Sequence, residues 1–216
     1  PGEEILISNG VDKDYRCQVE TLDSDAVTAR ILSVDEEGTE LPGKIYLFQG
    51  LPKGDKMEWI IQKTVELGVY EVIPVAMKNC VVKLDDKKAK SKVMRWQAIA
   101  ESAAKQSKRS LIPEVKMPMS YKEAVAYAKE LDVKLVPYEN EHGMAGTKAA
   151  MEQIKKGESI AVFIGPEGGF APEEIALVQD EMQLISLGKR ILRTETAGIA
   201  ALAILGYQLE SSDMIE

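Results

Sequence analysis

SIAVFIGPEGGFAPEEI, residues 159–175, is the stretch that decides the fold. Ile160 to Ile164 is an uninterrupted run of apolar and small residues, long enough for a buried strand and too short for a helix. It runs straight into Gly165-Pro166-Glu167-Gly168-Gly169. Pro172 follows, then Glu173 and Glu174, a good start for a helix. Strand, glycine-rich turn and helix in that order make a β–α unit, and such a turn usually holds something small.

Phosphate is a poor fit to this turn. It lacks the Lys-Ser/Thr of a nucleotide-binding loop and does not match G-x-G-x-x-G. A helix N-terminus attracts anions through its free N–H groups and its dipole, but here Glu167, Glu173 and Glu174 crowd that end. Glu173 and Glu174 read first as dipole complements, worth about 0.3–1 kcal/mol each. Glu167 lies inside the turn and suits a ligand with hydroxyls or a positive centre, such as an adenosyl sulfonium. Pro166 removes one donor, and the glycines let backbone approach the ligand closely.

Outward from this stretch, the strand–helix rhythm begins at Ile45. Strands are expected at 45–49, 72–75, 134–138, 160–164 and 184–187. Helices are expected at 53–67, 87–109, 121–131, 147–155, from Pro172, and at 197–209. In the 53–67 helix, Trp59, Ile60, Lys63, Thr64 and Leu67 fall at helical spacing, and Gly68 ends it. This alternation predicts an α/β fold with a mostly parallel sheet covered on both faces. Ligands of such sheets sit at the carboxyl ends of the strands, where Gly165–Gly169 and Gly188 both fall. Residues 1–48 read differently, as short strands, with alternation over Tyr15–Glu20 and a short β-branched run over Ala26–Leu32. They predict a small antiparallel unit or incomplete barrel, with a boundary over 36–43 and domains at 1–44 and 45–216.

The second informative stretch is LISLGKRILRTETAGIAALAIL, residues 184–205. A strand ends at Gly188, a basic loop follows, and Thr194 or Thr196 caps a helix. That helix is apolar around its circumference, which predicts burial on all sides. A second subunit or a central position in the core would each supply it. Two glycine turns at the ends of consecutive strands are expected to share one pocket.

Composition narrows the rest. With 45% hydrophobic and 29% charged residues the chain reads as an ordinary globular protein, and no run of about 20 apolar residues spans a membrane. The opening Pro1-Gly2 leads us to expect a preceding segment. Cys17 and Cys80 have no disulfide spacing, as in a reducing cytoplasm. The single histidine, His142, reads as a loop residue and leaves no His-based zinc site. The net charge of −8 hides an asymmetry: residues 78–109 carry ten basic and three acidic side chains, a net +7, leaving −15 elsewhere. That favours an anionic partner on one face, although a solvated lysine helix looks the same.

Four motifs in order, QKTVELGV at 62–69, ESAAKQSKR at 101–109, IGPEGGF at 164–170 and LGKRILRTETA at 187–197, resemble the RsmE family. These are ribosomal small-subunit RNA uridine-N3 methyltransferases of the SPOUT superfamily. The resemblance runs from about Ile45 to the C-terminus. Residues 1–48 resemble the latter part of the family's PUA-like β-barrel, whose basic opening segment is absent from this sequence. It implies a C-terminal trefoil knot, which general topology rules would not suggest, and a cytoplasmic homodimer with the last helix in its interface. It also implies S-adenosylmethionine as methyl donor and 16S ribosomal RNA within the small subunit as substrate, with no metal.

By the same resemblance, the donor would be held by Ile164, Gly165, Pro166, Glu167, Gly168 and Gly169 on one wall. Leu187, Gly188, Ile191, Leu192 and Arg193 would form another, Thr196 and Ala197 would close it, and Pro137 and Tyr138 would border the adenosine. Methylating N3 requires an unpaired or flipped base and loss of the N3 proton. Arg193 is expected to stabilise the uridine anion, with Glu195 as base or as orienter of Arg193. Gln106 and Arg109, at i,i+3 on a helix, are expected to meet phosphate or base. RNA contacts are expected from Lys83, Lys87, Lys88, Arg95, Lys105 and Arg109. Without the resemblance, transfer RNA remains an equal substrate, and a non-catalytic RNA-binding module leaves both glycine turns unexplained. A dinucleotide-dependent oxidoreductase fails, because only Gly50-Leu51-Pro52-Lys53-Gly54 follows the first strand of the alternating region.

Overall fold

A computed structural model describes residues 1–11, 13–36, 38–141 and 143–211. Glu37, within the expected boundary, and His142 lie outside the described residues. Two compact units emerge: Pro1–Glu40 with Ala104–Ile112, and Leu41–Ala103 with Pro113–Glu216. The expected boundary between 44 and 45 had left residues 104–112 with the larger unit.

In the first unit, β1 (Glu4–Ser8), β2 (Asp14–Leu22) and β3 (Val27–Asp35) form an antiparallel sheet in the order β1-β2-β3. Residues 104–112 are tied in by polar groups. The Ser8 hydroxyl donates to the Ser110 carbonyl at 2.7 Å, and the Ser110 hydroxyl donates to Asp14 Oδ2 at 2.9 Å. Arg109 grips Glu40 with Nε and Nη2, and Glu40 also accepts the Leu111 N–H at 3.1 Å. The Arg109 side chain is only 4% exposed. This corrects the expectation that Arg109 meets RNA phosphate or base: its fork is already filled by a carboxylate and shut away from solvent. Gln106 and Lys105, in the same segment, are exposed.

The second unit alternates as expected. Its elements are β4 (Lys44–Gly50), α1 (Lys56–Glu66), β5 (Val69–Ala76), α2 (Asp86–Gln106, whose last turn belongs to the first unit), β6 (Glu114–Val115), β7 (Met119–Ser120), α3 (Tyr121–Ala128), β8 (Val133–Pro137), α4 (Ala145–Glu152), β9 (Ser159–Ile164), α5 (Pro172–Val178), β10 (Gln183–Ile185) and α6 (Thr194–Ser211). The seven strands run in the order β10-β8-β9-β4-β5-β6, with β7 also on β5, and each recorded pairing is parallel. Parallel pairing brings the carboxyl ends of β4, β8, β9 and β10 to one end of the sheet.

The central strands are buried on both faces, which is why β9 reads as a continuous apolar run. Phe48 of β4 stacks on Phe163 of β9 with ring centroids 4.3 Å apart. Both rings are fully buried, worth roughly 1.5–3 kcal/mol each. Local signals set the helix ends. Ser120 caps α3 in a reciprocal box with Glu123. Gly68, at φ +89°, stops α1 in a conformation few side chains tolerate.

One expectation about a helix face needs correction, and another is met only in part by a single chain. On α1 the buried residues are Met57, Ile60, Ile61, Thr64 and Val65, while Trp59 is 53% exposed under the Lys63 ammonium. The helix turns its aliphatic stripe inward and leaves the indole as a rest for a cation. On α6 the buried residues include Gly198, Ala201, Leu202, Leu205, Gly206 and Leu209. Ile199 and Ile204 are half-buried, Ala203 is exposed and Tyr207 is 74% exposed. An all-apolar helix is therefore covered on one side only within the single chain. Among the described residues no helix is long and apolar enough to cross a membrane, and both cysteines are buried free thiols.

Candidate functional site

At the carboxyl ends of β8, β9 and β10 the second unit opens into a cleft of about 630 Å³. The glycine turn after β9 and the basic loop after β10 face each other across it, with Pro137 and Tyr138 between. Of the residues expected to hold the donor, only Gly168 and Thr196 lie outside the lining. Glu139, Glu141 and Glu167 make one side acidic, and Lys189, Arg190 and Arg193 make the other basic.

Close backbone approach builds the acidic side. A Cβ at Gly50, the end of β4, would lie 2.7 Å from the Pro166 nitrogen and 2.8 Å from its Cδ. Gly169 sits at φ +65°, and a Cβ there would crowd Glu139. Behind the turn, the Asn79 amide donates to the carbonyls of Gly168 and Gly169 at 3.0 and 3.2 Å. Buried Glu174 accepts the N–H groups of Ala171 and Lys78, both at 2.8 Å. Glu173 pairs with the Lys78 ammonium. Both glutamates are thus occupied in fastening α5 to the loop after β5, beyond complementing its dipole. Since Pro166 is backbone-locked, Gly50→Ala is expected to cost about 1–3 kcal/mol, read by chemical denaturation, with a parallel fall in donor affinity.

The basic side is anchored by a relay through Thr194. Its hydroxyl accepts from the fully buried Gln49 amide at 2.9 Å and donates to the Gly165 carbonyl at 2.6 Å. The hydroxyl expected to cap α6 is therefore used to join β4, the glycine turn and α6. The Arg193 carbonyl instead accepts the first helical N–H groups, from Thr196 and Ala197. The backbone of Arg193 is fixed, while its guanidinium is exposed and has no ion-pair partner among the described residues.

Two further residues escaped the sequence reading. Gln49 ends an apolar strand, where a buried amide gives no periodic signal. Lys56 begins α1 and lines the cleft. Its ammonium lies 3.0 Å from Glu167 Oε1 and 3.2 Å from Glu195 Oε2, and the Glu167 carboxylate also accepts the Lys53 N–H at 3.0 Å. Burial pushes the Glu167 carboxyl up, but the Lys53 N–H and the Lys56 ammonium outweigh it and hold it below the ordinary value of 4.5. The Glu167 bond likewise raises Lys56. A depressed folded carboxyl adds stability above its unfolded value that is lost as pH falls through the folded value. Glu167→Gln is therefore expected to flatten the loss of thermal stability below pH 4.5, seen by comparing melting curves of variant and wild type.

A family model described as an RNA methyltransferase domain matches residues 39–206. The chain is 38% identical over 213 residues to the ribosomal RNA small subunit methyltransferase E of Bacillus subtilis, covering 97% of this chain and 83% of that protein. This chain belongs to the ribosomal RNA small subunit methyltransferase E family. Among solved structures of that family, the Neisseria gonorrhoeae protein bound to S-adenosyl methionine matches at TM-score 0.79 and 35% identity, over 94% of this chain and 82% of that one. A Legionella pneumophila methyltransferase with bound SAM matches at TM-score 0.78 and 36% identity, with the same coverage.

The residues expected to meet RNA divide between the units. Lys83, Lys87 and Lys88 are exposed around the start of α2, where Lys88 sits 3.5 Å from Asp85. Arg95, further along, is paired with Glu58 at 2.7 Å while staying largely exposed. Lys105 belongs to the first unit. Among the described residues no group of three or more His, Cys, Asp or Glu is arranged for a metal ion.

Proposed function

We propose that this chain transfers a methyl group from S-adenosylmethionine to N3 of a uridine in 16S ribosomal RNA of the small subunit. One observation carries the reading: the glycine turn and the basic loop meet around one cleft, with a guanidinium that has no ion-pair partner among the described residues on a clamped backbone at its rim. The cleft fits that donor. Glycine backbone and the apolar Ile164, Leu187 and Leu192 suit an adenosine, and the acidic side suits a positive sulfur better than a pyrophosphate.

When bound, S-adenosylmethionine supplies a methyl group activated by its sulfonium. The protein's part is positioning and charge. Uridine N3 must give up its proton, here to solvent, and the negative charge then spreads to O2 and O4. The Arg193 guanidinium stabilises that charge from a fixed backbone, at little reorganisation cost. Glu195 is already held by Lys56, which suits it to orienting this segment more than to taking the proton. Holding N3 in line with the methyl carbon and sulfur supplies most of the rate.

Several further features belong to this reading. The loops at 165–171 and 186–193 are the crossing segments of a SPOUT-type trefoil knot, supported by α6 returning from edge strand β10 to pack on α1, β4 and β9. β1–β3 are part of a PUA-like RNA-binding barrel, and the exposed Lys83, Lys87, Lys88 and Lys105, with Arg95 and Gln106, contact RNA. The uncovered side of α6, with Ile199, Ile204 and Tyr207, is the homodimer interface, and the enzyme works in the cytoplasm. The test is labelled methyl transfer to small ribosomal subunits from cells lacking the modification, followed by mapping of the labelled base. Label at N3 of one uridine in 16S RNA is the expected result. Label on transfer RNA alone, or no transfer, would sink the reading.

A further inference from the structure

Lys56 stands apart among the residues of the cleft. It comes from α1, whereas the other lining residues end β8 and β9 or follow β8, β9 and β10. Its one ammonium is shared by two carboxylates that belong to opposite sides. Glu167 lies in the glycine turn, and Glu195 lies two residues after Arg193 in the first turn of α6. The side chains of Lys56, Glu167 and Glu195 are 32%, 26% and 18% exposed, so all three are substantially withdrawn from water. In that setting an ion pair is stronger than on an open surface, and an unpaired carboxylate is costly.

The contacts to the two carboxylates differ. Glu167 accepts a well-formed hydrogen bond from Lys56 Nζ and a second from the Lys53 N–H. Glu195 Oε2 is buried, and the Lys56 ammonium at 3.2 Å is its one recorded partner among the described residues. Glu167 is secured twice; Glu195 leans on Lys56. Removing the ammonium would leave the turn partly held by Lys53 and leave the largely withdrawn Glu195 carboxylate without its recorded cation.

We propose that Lys56 is a positioning residue for methyl transfer: it locks Glu195, and through it the Arg193 segment, against the donor turn. The proposal rests on the methyltransferase reading above. Lys56 touches neither N3 nor the methyl group in this role. It sets where the Arg193 guanidinium stands when donor and base are both bound. Arg in its place would keep the lock, because a guanidinium can reach two carboxylates at once. A neutral residue would not.

The experiment compares wild type, Lys56→Gln, Lys56→Arg, Glu195→Gln and the Lys56→Gln/Glu195→Gln double variant. Donor affinity is measured by calorimetry with S-adenosylmethionine. The rate of transfer is measured in a single turnover on small subunits at saturating donor. Lys56→Gln should lower that rate by about 100-fold, the scale of a misplaced reacting group, with donor affinity and melting temperature much less affected. Lys56→Arg should recover most of the rate. The double variant should be no slower than the slower single one, because both changes open the same lock. Normal turnover by Lys56→Gln overturns the proposal, as does failure of Lys56→Arg to improve on it. So does a rate loss matched by an equal loss of donor binding or of stability. Failure of the wild type to bind donor or to transfer methyl would instead overturn the reading beneath.

Discussion

Arg193→Ala is expected to reduce methyl transfer by about 100- to 1,000-fold, the usual scale for removing one preorganised group that stabilises developing charge. Two observations support so large an effect from an exposed side chain. The backbone of Arg193 is fixed by its own carbonyl, which starts α6, and by Thr194, which is tied to Gln49 and Gly165. Among the described residues its guanidinium has no ion pair to lose, so the fold should not register the change. Melting temperature should stay at the wild-type value while single-turnover transfer collapses. Arg193→Lys should return part of the rate, since the charge comes back without the planar fork. A variant with alanine that turns over normally would remove Arg193 from the chemistry.

The second large effect lies in the first unit and concerns stability. Glu40→Ala would take from the Arg109 guanidinium, 4% exposed, the Glu40 carboxylate that both Nε and Nη2 reach, and would also remove the acceptor of the Leu111 N–H. Breaking a buried pair by removing one partner costs roughly 3–5 kcal/mol. Glu40 itself is 25% exposed, so the lower end of that range, about 3 kcal/mol, is expected. Denaturant unfolding followed by far-UV circular dichroism would measure it. Arg109→Met, which removes the charge but keeps a long apolar stem, should be milder. A surface role for Arg109 predicts the opposite: stability untouched and RNA affinity reduced.

Arg109 also shows where sequence reasoning stops. The basic run around it is visible in the sequence, but its partner Glu40 lies 69 residues away and nothing in either neighbourhood announces the pairing. The same holds for Lys56, a lysine at the start of an amphipathic helix whose two carboxylates come from Glu167 and Glu195. What was legible is what local physics writes. Buried parallel strands leave continuous apolar runs, and turns that must approach backbone closely leave glycines, as at Gly165 and Gly169. Those two signals located the parallel sheet and the two turns that face each other across the cleft, while the individual lining residues came with the family resemblance. The two-residue strands β6 and β7 left no signal, because so short a pairing needs no periodicity. The one-sided cover of α6 within one chain was not legible either, because an all-apolar helix looks the same whether its second face meets the core or another subunit.

The Thr194 relay has a consequence for how the protein comes into being. Gln49 and Thr194 are 145 residues apart, and Gly165 is 29 residues from Thr194. The cleft therefore cannot exist in any partly made chain that lacks the final helix, however well its earlier strands have paired. Contacts of such long sequence separation form late and slowly. Affinity for the methyl donor should consequently appear in a single late step during refolding, after most secondary structure has formed. A growing chain still attached to its own ribosome would be unable to methylate anything until that helix docks.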